Sequence, residues 1–487
     1  MDKIIAIDEG TTSVRAMLYD LQEKKFTHGV SEEIRQIYPN PGWVEQDAAE
    51  IYAKTLSLLV QTLEGTDAET VKGIGITNQR ETVVIWNRKT GKPVYNAIVW
   101  QCRRTGDFCA SIPKDKAEEI REKTGLQIDA YFSASKIKWI LDNVAGAREQ
   151  AERGELCAGT IDCYLLYKLT CGKAFVTDYT NASRTMLFNI HTLRWDGELL
   201  KFFGIPESLL PEVKSCTDYM GDFEYKGVKI PIAGVAGDQQ AALFGQGCLS
   251  EGTGKITYGT GLFFLFNTGK ECKRSNAGMV STIAYSVGKK IVYALEGSVF
   301  NAGSSVQWLR DELGFFQNAA DSEALALSVE DAGGVYVVPA FTGLGAPYWR
   351  GDARAMICGL SRGSDKRHIT RAVLESMAYS ARELSEPMER DSGVKLKEIR
   401  CDGGASANNF LMQFQADVLH VPVNRPVERE STALGAVYLC AIALGLLKEE
   451  DVEKMRQTDR VFTPSPDEEK FENLLKGYRK AVERCLL

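Results

Sequence analysis

Short apolar runs that end abruptly in glycine and threonine set the rhythm of this chain. Residues 4–7, Ile-Ile-Ala-Ile, lead into Asp8-Glu9-Gly10-Thr11-Thr12-Ser13, and residues 256–258 lead into Gly259-Thr260-Gly261. Each reads as a strand feeding a tight polar turn, with 14–19 and 262–266 as the returning strands of two hairpins. From Asp47 the period changes. Ile51, Leu56, Leu59 and Leu63 recur at helical spacing, Asp47 with Glu50 makes an acidic variant of the capping box, and Gly65 stops the run. Further strands are predicted at 71–77, 83–86, 230–235, 335–338 and 398–401. Further helices are predicted at 133–144, 147–152, 161–170, 300–313, 366–385, 407–419 and 432–446, and one amphipathic helix beyond Pro466. Strands and helices alternate in both halves, which favours an α/β class with sheets covered by helices.

The 487 residues exceed what one core usually supports, so two large domains are expected. Glycines 245, 247, 252 and 254 cluster just ahead of the second hairpin and place the boundary there, giving lobes of 1–248 and 249–487. A hydrophobic content of 44% with 25% charged residues is that of an ordinary globular protein, and a net charge of −7 argues against a generally nucleic-acid-binding surface. The N-terminus runs straight into a strand with no secretory apolar region, and the longest apolar run, 433–447, is shorter than the roughly 20 residues of a membrane span. A cytoplasmic protein without membrane insertion is expected. Twelve cysteines contain no Cys-x-x-Cys and four histidines show no zinc spacing, so the cysteines read as small hydrophobes.

The turns carry the first chemistry. Glycine lets backbone approach a ligand, threonine hydroxyls and turn amides donate to an anion, and Asp8 offers an oxygen to a phosphate-bound Mg²⁺. One such turn in each half suggests two lobes holding a nucleotide polyphosphate. Asp238, in Gly237-Asp238-Gln239-Gln240, follows a strand and opens an alanine-rich helix; it reads as a helix N-cap and, at the mouth of a cleft, as an acceptor of a hydroxyl proton. Arg80-Glu81 lies between two strands, either as a solvated ion pair or as fixed contacts for a polyol's hydroxyls. Trp100 and Tyr131-Phe132 are core aromatics or the walls of a small pocket. Asp402-Gly403-Gly404-Ala405-Ser406-Ala407-Asn408 is a strand-to-helix turn suited to an anion or an adenosine group. The dinucleotide fingerprint, the P-loop and the protein-kinase motifs do not occur.

In this order the motifs resemble the FGGY carbohydrate kinase family, and within it the members that act on glycerol. The resemblance covers nearly the whole chain, through residues 8–13, 41–45, 75–81, 95–104, 131–143, 177–190, 237–245, 258–261, 306–312, 335–349 and 402–414. The run Asn96-Ala97-Ile98-Val99-Trp100-Gln101-Cys102-Arg103-Arg104-Thr105 is highly specific. The resemblance implies two ribonuclease H-like lobes of the actin/hexokinase type with the active site in the cleft between them. It also implies ATP with Mg²⁺, glycerol as acceptor, and a homodimer or homotetramer. On matching positions it implies that Arg80, Glu81, Tyr131 and Asp238 hold hydroxyls beside Gln239, that Trp100 and Phe263 pack on carbon, and that Asp238 is the general base. Thr11, Thr12, Ser13 and Arg15 would approach the phosphates, with Asp8 near the metal. Thr260, Gly303, Gln307, Gly404 and Asn408 would line the nucleotide site.

The chain departs from the family pattern in four places. Position 9 is Glu where many members carry Gln. Residues 225–229 are short and lack the arginine by which some bacterial members bind fructose 1,6-bisphosphate. No histidine lies between His191 and His368, where others are phosphorylated, and residues 462–466 lack the tail pattern by which enteric members bind a sugar-transport regulator. A competing class, the nucleotide-gated switch typified by actin, shares the paired turns but has no need of Arg80, Glu81 and Asp238 as a set.

Overall fold

The computed structural model describes residues 2–487, which divide into two units. Unit 1 gathers the residues up to Gly247 with Ser281–Tyr293 and Ser431–Met455; unit 2 gathers Cys248–Val280, Ala294–Glu430 and Arg456–Leu487. The division differs from the single cut expected near residue 248, because 281–293 and 431–455 belong to unit 1. For the second of these the reason is plain. The helix Ser431–Ala443 is apolar on every face and buries Ala433, Leu434, Val437, Tyr438 and Leu439 within unit 1.

In unit 1, β1 (Lys3–Glu9), β2 (Ser13–Asp20), β3 (Lys25–Glu33), β4 (Val71–Asn78), β5 (Tyr219–Tyr225) and β6 (Val228–Gly237) form a sheet in the order β5-β6-β4-β1-β2-β3. β1 and β2 make the expected antiparallel hairpin, whereas β1 and β6 both run parallel to β4. Ile5, Ile7, Ile74, Ile76, Ile232 and Val235 supply the apolar core of these central strands. The helix Ala48–Glu64 starts where Asp47 accepts hydrogen bonds from the amides of Ala49 and Glu50, and it ends at Gly65. Its stripe is buried at Ile51, Leu59 and Leu63, joined by Leu58, while Leu56 is half-buried. A smaller sheet joins Glu45–Gln46, Ala97–Ile98, Val83–Asn87 and Leu156–Thr160.

A seven-stranded sheet follows, built from β7 (Thr253–Tyr258), β8 (Leu262–Gly269), β9 (Val280–Val287), β10 (Lys290–Val299), β11 (Glu398–Asp402), β12 (Val423–Pro426) and β13 (Thr458–Phe462), in the order β9-β10-β8-β7-β11-β12-β13. β7 and β8 are the second hairpin, and β11 lies parallel to β7. The helices Lys366–Ser392, Asn409–Leu419 and Glu468–Cys485 bury Tyr379, Phe414 and Tyr478 in the core of unit 2. Among the described residues no helix is long and apolar enough to cross a membrane. All twelve cysteines are free thiols.

Candidate active site

The parallel arrangement of β1, β4 and β6 brings three strand ends together. Glu9 and Gly237 both lie opposite Asn78 in register, so Asp8, the turn 79–81 and Asp238 emerge at the carboxyl ends of neighbouring strands. In α/β sheets that edge is where loops are held toward ligands. Arg80, only 2% exposed, is the hub. Its Nη1 donates to Gln240 Oε1 at 3.1 Å, its Nη2 lies 3.4 Å from the Tyr131 hydroxyl, and its Nε lies 3.3 Å from Asp238 Oδ1 and 3.8 Å from Glu81 Oε1. Glu81 has a left-handed backbone, φ 62°, and receives Arg184 Nε at 2.6 Å and, on its carbonyl, the Ser133 hydroxyl at 3.0 Å. The rings of Trp100 and Tyr131 meet edge to face, 5.5 Å between centroids. The expected set of Arg80, Glu81, Trp100, Tyr131 and Asp238 is therefore one cluster of unit 1.

Asp238 departs from the N-cap reading. The strand runs on to Gly237, whose extended backbone is the cap, and Asp238 is the first helical residue. Its Oδ1 accepts from the Gln239 amide at 2.7 Å and its Oδ2 from Gln239 Nε2 at 3.4 Å. The side chain is 29% exposed, beside the buried Arg80, so it faces both a fixed cation and open space. The helix N-terminus adds a favourable field for a carboxylate.

The first Gly-Thr turn is closed by the Gly10 amide donating to Ser13 O at 2.9 Å. Thr11 is pinned from three sides: Gln36 Nε2 and Gln46 Nε2 donate to its carbonyl at 2.7 and 2.6 Å, and Trp100 Nε1 donates to its hydroxyl at 2.9 Å. Thr12 is exposed, and Arg15 pairs with Asp8 Oδ2 at 2.8 Å. Beneath the turn lies a ring of buried amides. Gln79 Nε2 donates to Glu9 Oε1 and Gln46 Oε1, Thr82 donates to Gln79 Oε1, and the Trp100 amide donates to the Thr82 hydroxyl. Glu9 is fully buried, and burial first, then the nearby Asp8 charge, push its pKa well above the usual carboxylate range. Burial at position 9 thus disfavours a second negative charge beside Asp8.

Unit 2 gathers its candidates on the same logic. Thr257 of β7 lies opposite Asp402 of β11, so the turns after both strands share one sheet edge. The exposed Thr260 accepts on its carbonyl from the amides of Ala302 and Ser304, which open the helix Gly303–Asp311. A Cβ on Gly303 would stand 2.5 Å from Gly259 O, and one on Gly403, at φ 84°, would stand 2.3 Å from Tyr258 O. Gly404 is exposed with open space around it, and Gln307 is exposed in the helix Gly303–Asp311. The Asn408 side chain is already engaged as an N-cap, accepting from Leu411 N at 2.9 Å. Phe263 is half-buried in β8, paired with Thr257.

Sequence reasoning passed over the residues that hold this cluster in place. Arg184, Gln46, Gln240 and Lys136 are fully buried and make the contacts that fix Glu81, Thr11, Arg80 and the Tyr131 segment. Arg104 holds the strand before Trp100, pairing with Glu45 while lying over the Trp43 and Trp139 rings at 3.9 and 4.6 Å. Only Lys136 carries a local signal in the sequence, a charged side chain inside the small and apolar run Ser133-Ala134-Ser135-Lys136-Ile137.

Two family models match the chain: the FGGY family of carbohydrate kinases, N-terminal domain, over residues 3–245, and the C-terminal domain of the same family over 254–444. A glycerol kinase of Caldanaerobacter subterraneus subsp. tengcongensis is 56% identical over 490 residues, covering 99% of this chain and 98% of that protein. One of Treponema denticola is 54% identical, covering 99% of each. Among solved structures, Plasmodium falciparum glycerol kinase with ADP superposes with a TM-score of 0.93 at 37% identity, covering 100% of this chain and 99% of that one. A ligand-bound xylulose kinase from Lactobacillus acidophilus shares the fold, with a TM-score of 0.90 at 24% identity over 99% and 98% of the two chains.

Proposed function

The chain belongs to the FGGY family of carbohydrate kinases, with its two-domain actin/hexokinase-like fold, and we propose that it transfers the γ-phosphoryl group of ATP to a terminal hydroxyl of glycerol. The products are sn-glycerol 3-phosphate and ADP. The observation that carries this reading is the cluster of the buried Arg80 and Glu81 with the partly buried Tyr131 and Trp100, beside the partly exposed Asp238. Fixed donors and acceptors with an aromatic wall suit a short polyol, and a missing hydroxyl would leave a buried partner unpaired.

Phosphoryl transfer asks the protein mainly for positioning and charge stabilisation. Arg80, Glu81 and Tyr131 orient the hydroxyls, Gln239 borders Asp238, and Trp100 and Phe263 pack on carbon. Asp238 takes the proton of the attacking hydroxyl. Thr11, Thr12, Ser13 and Arg15 serve the phosphates, and Thr260, Gly303, Gln307, Gly404 and Asn408 serve the nucleotide, which assigns polyol and phosphate binding to the N-terminal domain and nucleotide binding to the C-terminal one. Among the described residues no group of three or more His, Cys, Asp or Glu side chains forms a metal cage. Asp8 offers one hard carboxylate donor, which would fit a Mg²⁺ that arrives with nucleotide phosphates and keeps several waters. When bound, that ion neutralises charge on the phosphate oxygens. We place the enzyme in the cytoplasm as a homodimer or homotetramer.

A coupled ADP-release assay across glycerol, dihydroxyacetone, erythritol and xylulose tests the acceptor. Glycerol is expected to give the highest kcat/KM; no preference for it, or ATP turnover indifferent to glycerol, removes the assignment. Asp238→Asn is expected to lower kcat by about a hundredfold or more with nucleotide still binding; near-normal turnover takes Asp238 out of the base role.

A further inference from the structure

Lys136 is wholly buried in the first turn of the helix Ser133–Asn143. Its Nζ donates to three consecutive backbone carbonyls, those of Ala130 at 2.6 Å, Tyr131 at 2.6 Å and Phe132 at 3.0 Å. An ammonium has three N–H donors, and here each has its own acceptor. Burying a cation among neutral carbonyls is costly, so the arrangement calls for a function beyond packing.

The segment it gathers carries an acceptor-pocket side chain. The Tyr131 amide is held by Asp129 Oδ1 at 2.7 Å, its ring abuts Trp100 and Phe132, and its hydroxyl lies 3.4 Å from Arg80 Nη2. Phe132, the N-cap of the helix, makes no side-chain capping bond to the helix amides, and Lys136 acts on the carbonyl side of this turn, clamping 130–132. We propose that Lys136 is a positioning residue for the acceptor: its ammonium fixes the backbone of 130–132 and thereby sets the Tyr131 ring and hydroxyl against Trp100 and Arg80. The proposal rests on the reading that Tyr131 contacts the acceptor.

The clamp depends on the proton. A neutral amine has two N–H groups, so one of the three carbonyls would lose its donor and face the nitrogen lone pair instead. Burial pushes the Lys136 pKa down to about 8, opposed by Glu81, Cys102, Asp129 and Cys109. Of the charged groups facing it, Glu81 is paired with Arg184, and Asp129 with Arg103. As pH rises through about 8 the clamp weakens.

Steady-state kinetics of the full-length enzyme, varying glycerol at saturating ATP and the reverse, test this for wild type, Lys136→Met and Lys136→Gln. Lys136→Met is expected to raise the glycerol KM about tenfold and leave the ATP KM within about twofold, with Lys136→Gln, which keeps two donors, between them. The wild-type glycerol KM is expected to climb from about pH 7 to about pH 9, while that of Lys136→Met stays level. Parallel shifts of both KM values, or a level wild-type profile, overturn the proposal. If Lys136→Met does not fold by circular dichroism, the wild-type profile and Lys136→Gln decide by the same criteria. A wild-type enzyme that does not phosphorylate glycerol is a failure of the proposed function instead, visible before any variant is made.

Discussion

Glu81 combines a left-handed backbone with a carboxylate held 2.6 Å from Arg184 Nε, and both side chains are sealed from water at 1% and 0% exposure. A non-glycine residue in that backbone region is strained and persists only when its surroundings over-determine it. Arg184 supplies much of that determination, lying also over the rings of Phe132 and Tyr131. Arg184→Met is expected to leave the buried Glu81 dependent on its longer 3.8 Å contact to Arg80 and to cost about 3 kcal/mol of stability. Chemical denaturation checks it: an unchanged midpoint would mean that Glu81 finds another partner. Because Glu81 is proposed to hold a hydroxyl, the variant is also expected to raise the glycerol KM more than the ATP KM.

At the scale of elements, the helix Ser431–Ala443 is seated by glycines. A Cβ on Gly435 would stand 1.9 Å from Ala241 O, and one on Gly75 would stand 2.3 Å from Ala436 O. The first contact presses this helix on the helix that Asp238 opens, the second on β4, which leads into Arg80. Gly435→Ala is expected to force the two helices apart, costing about 2–3 kcal/mol by overpacking and lowering kcat through displacement of Asp238. A variant crystal structure with Asp238 unmoved and kcat intact would contradict this. The elements themselves were largely legible: the Gly-Thr hairpins, the Asp47-capped helix and the helix after Pro466 stand close to their expected bounds. The strands passed over have local reasons. β3, Lys-Phe-Thr-His-Gly-Val-Ser-Glu-Glu, lies at a sheet edge with most positions in contact with water and carries no apolar alternation. Of the site, the motif residues were legible because turns and strand ends mark them. Gln46, Lys136, Arg184 and Gln240 were not, because the local sequence around a polar side chain says nothing of the partner it will meet from elsewhere in the chain.

For the whole molecule, the two-domain expectation came from length, but the partition is set by packing. Residues 431–455 follow most of unit 2 in sequence yet complete unit 1. No composition shift marks that return; only the all-round apolar character of 433–447 hints that the run is buried, and not where. A fragment ending at Gly247 is therefore expected to be insoluble when expressed alone, since the surfaces of β4 and of the helix Asp238–Gly245 that receive Ser431–Ala443 would be bare. Co-expression with a segment spanning 431–455 is expected to recover soluble material, and a soluble, cooperatively unfolding 1–247 fragment would refute this.

The same helix also sets a clock. On the ribosome its glycine-lined seat is made by the time residue 247 emerges, but the helix that fills it arrives about ten to forty seconds later at ordinary elongation rates. Through that interval the first half of the chain carries an open apolar trough. Nascent protein is thus most vulnerable to misassociation in mid-synthesis, and a slow stretch of messenger between these two points would lengthen the exposure without changing a single residue of the enzyme.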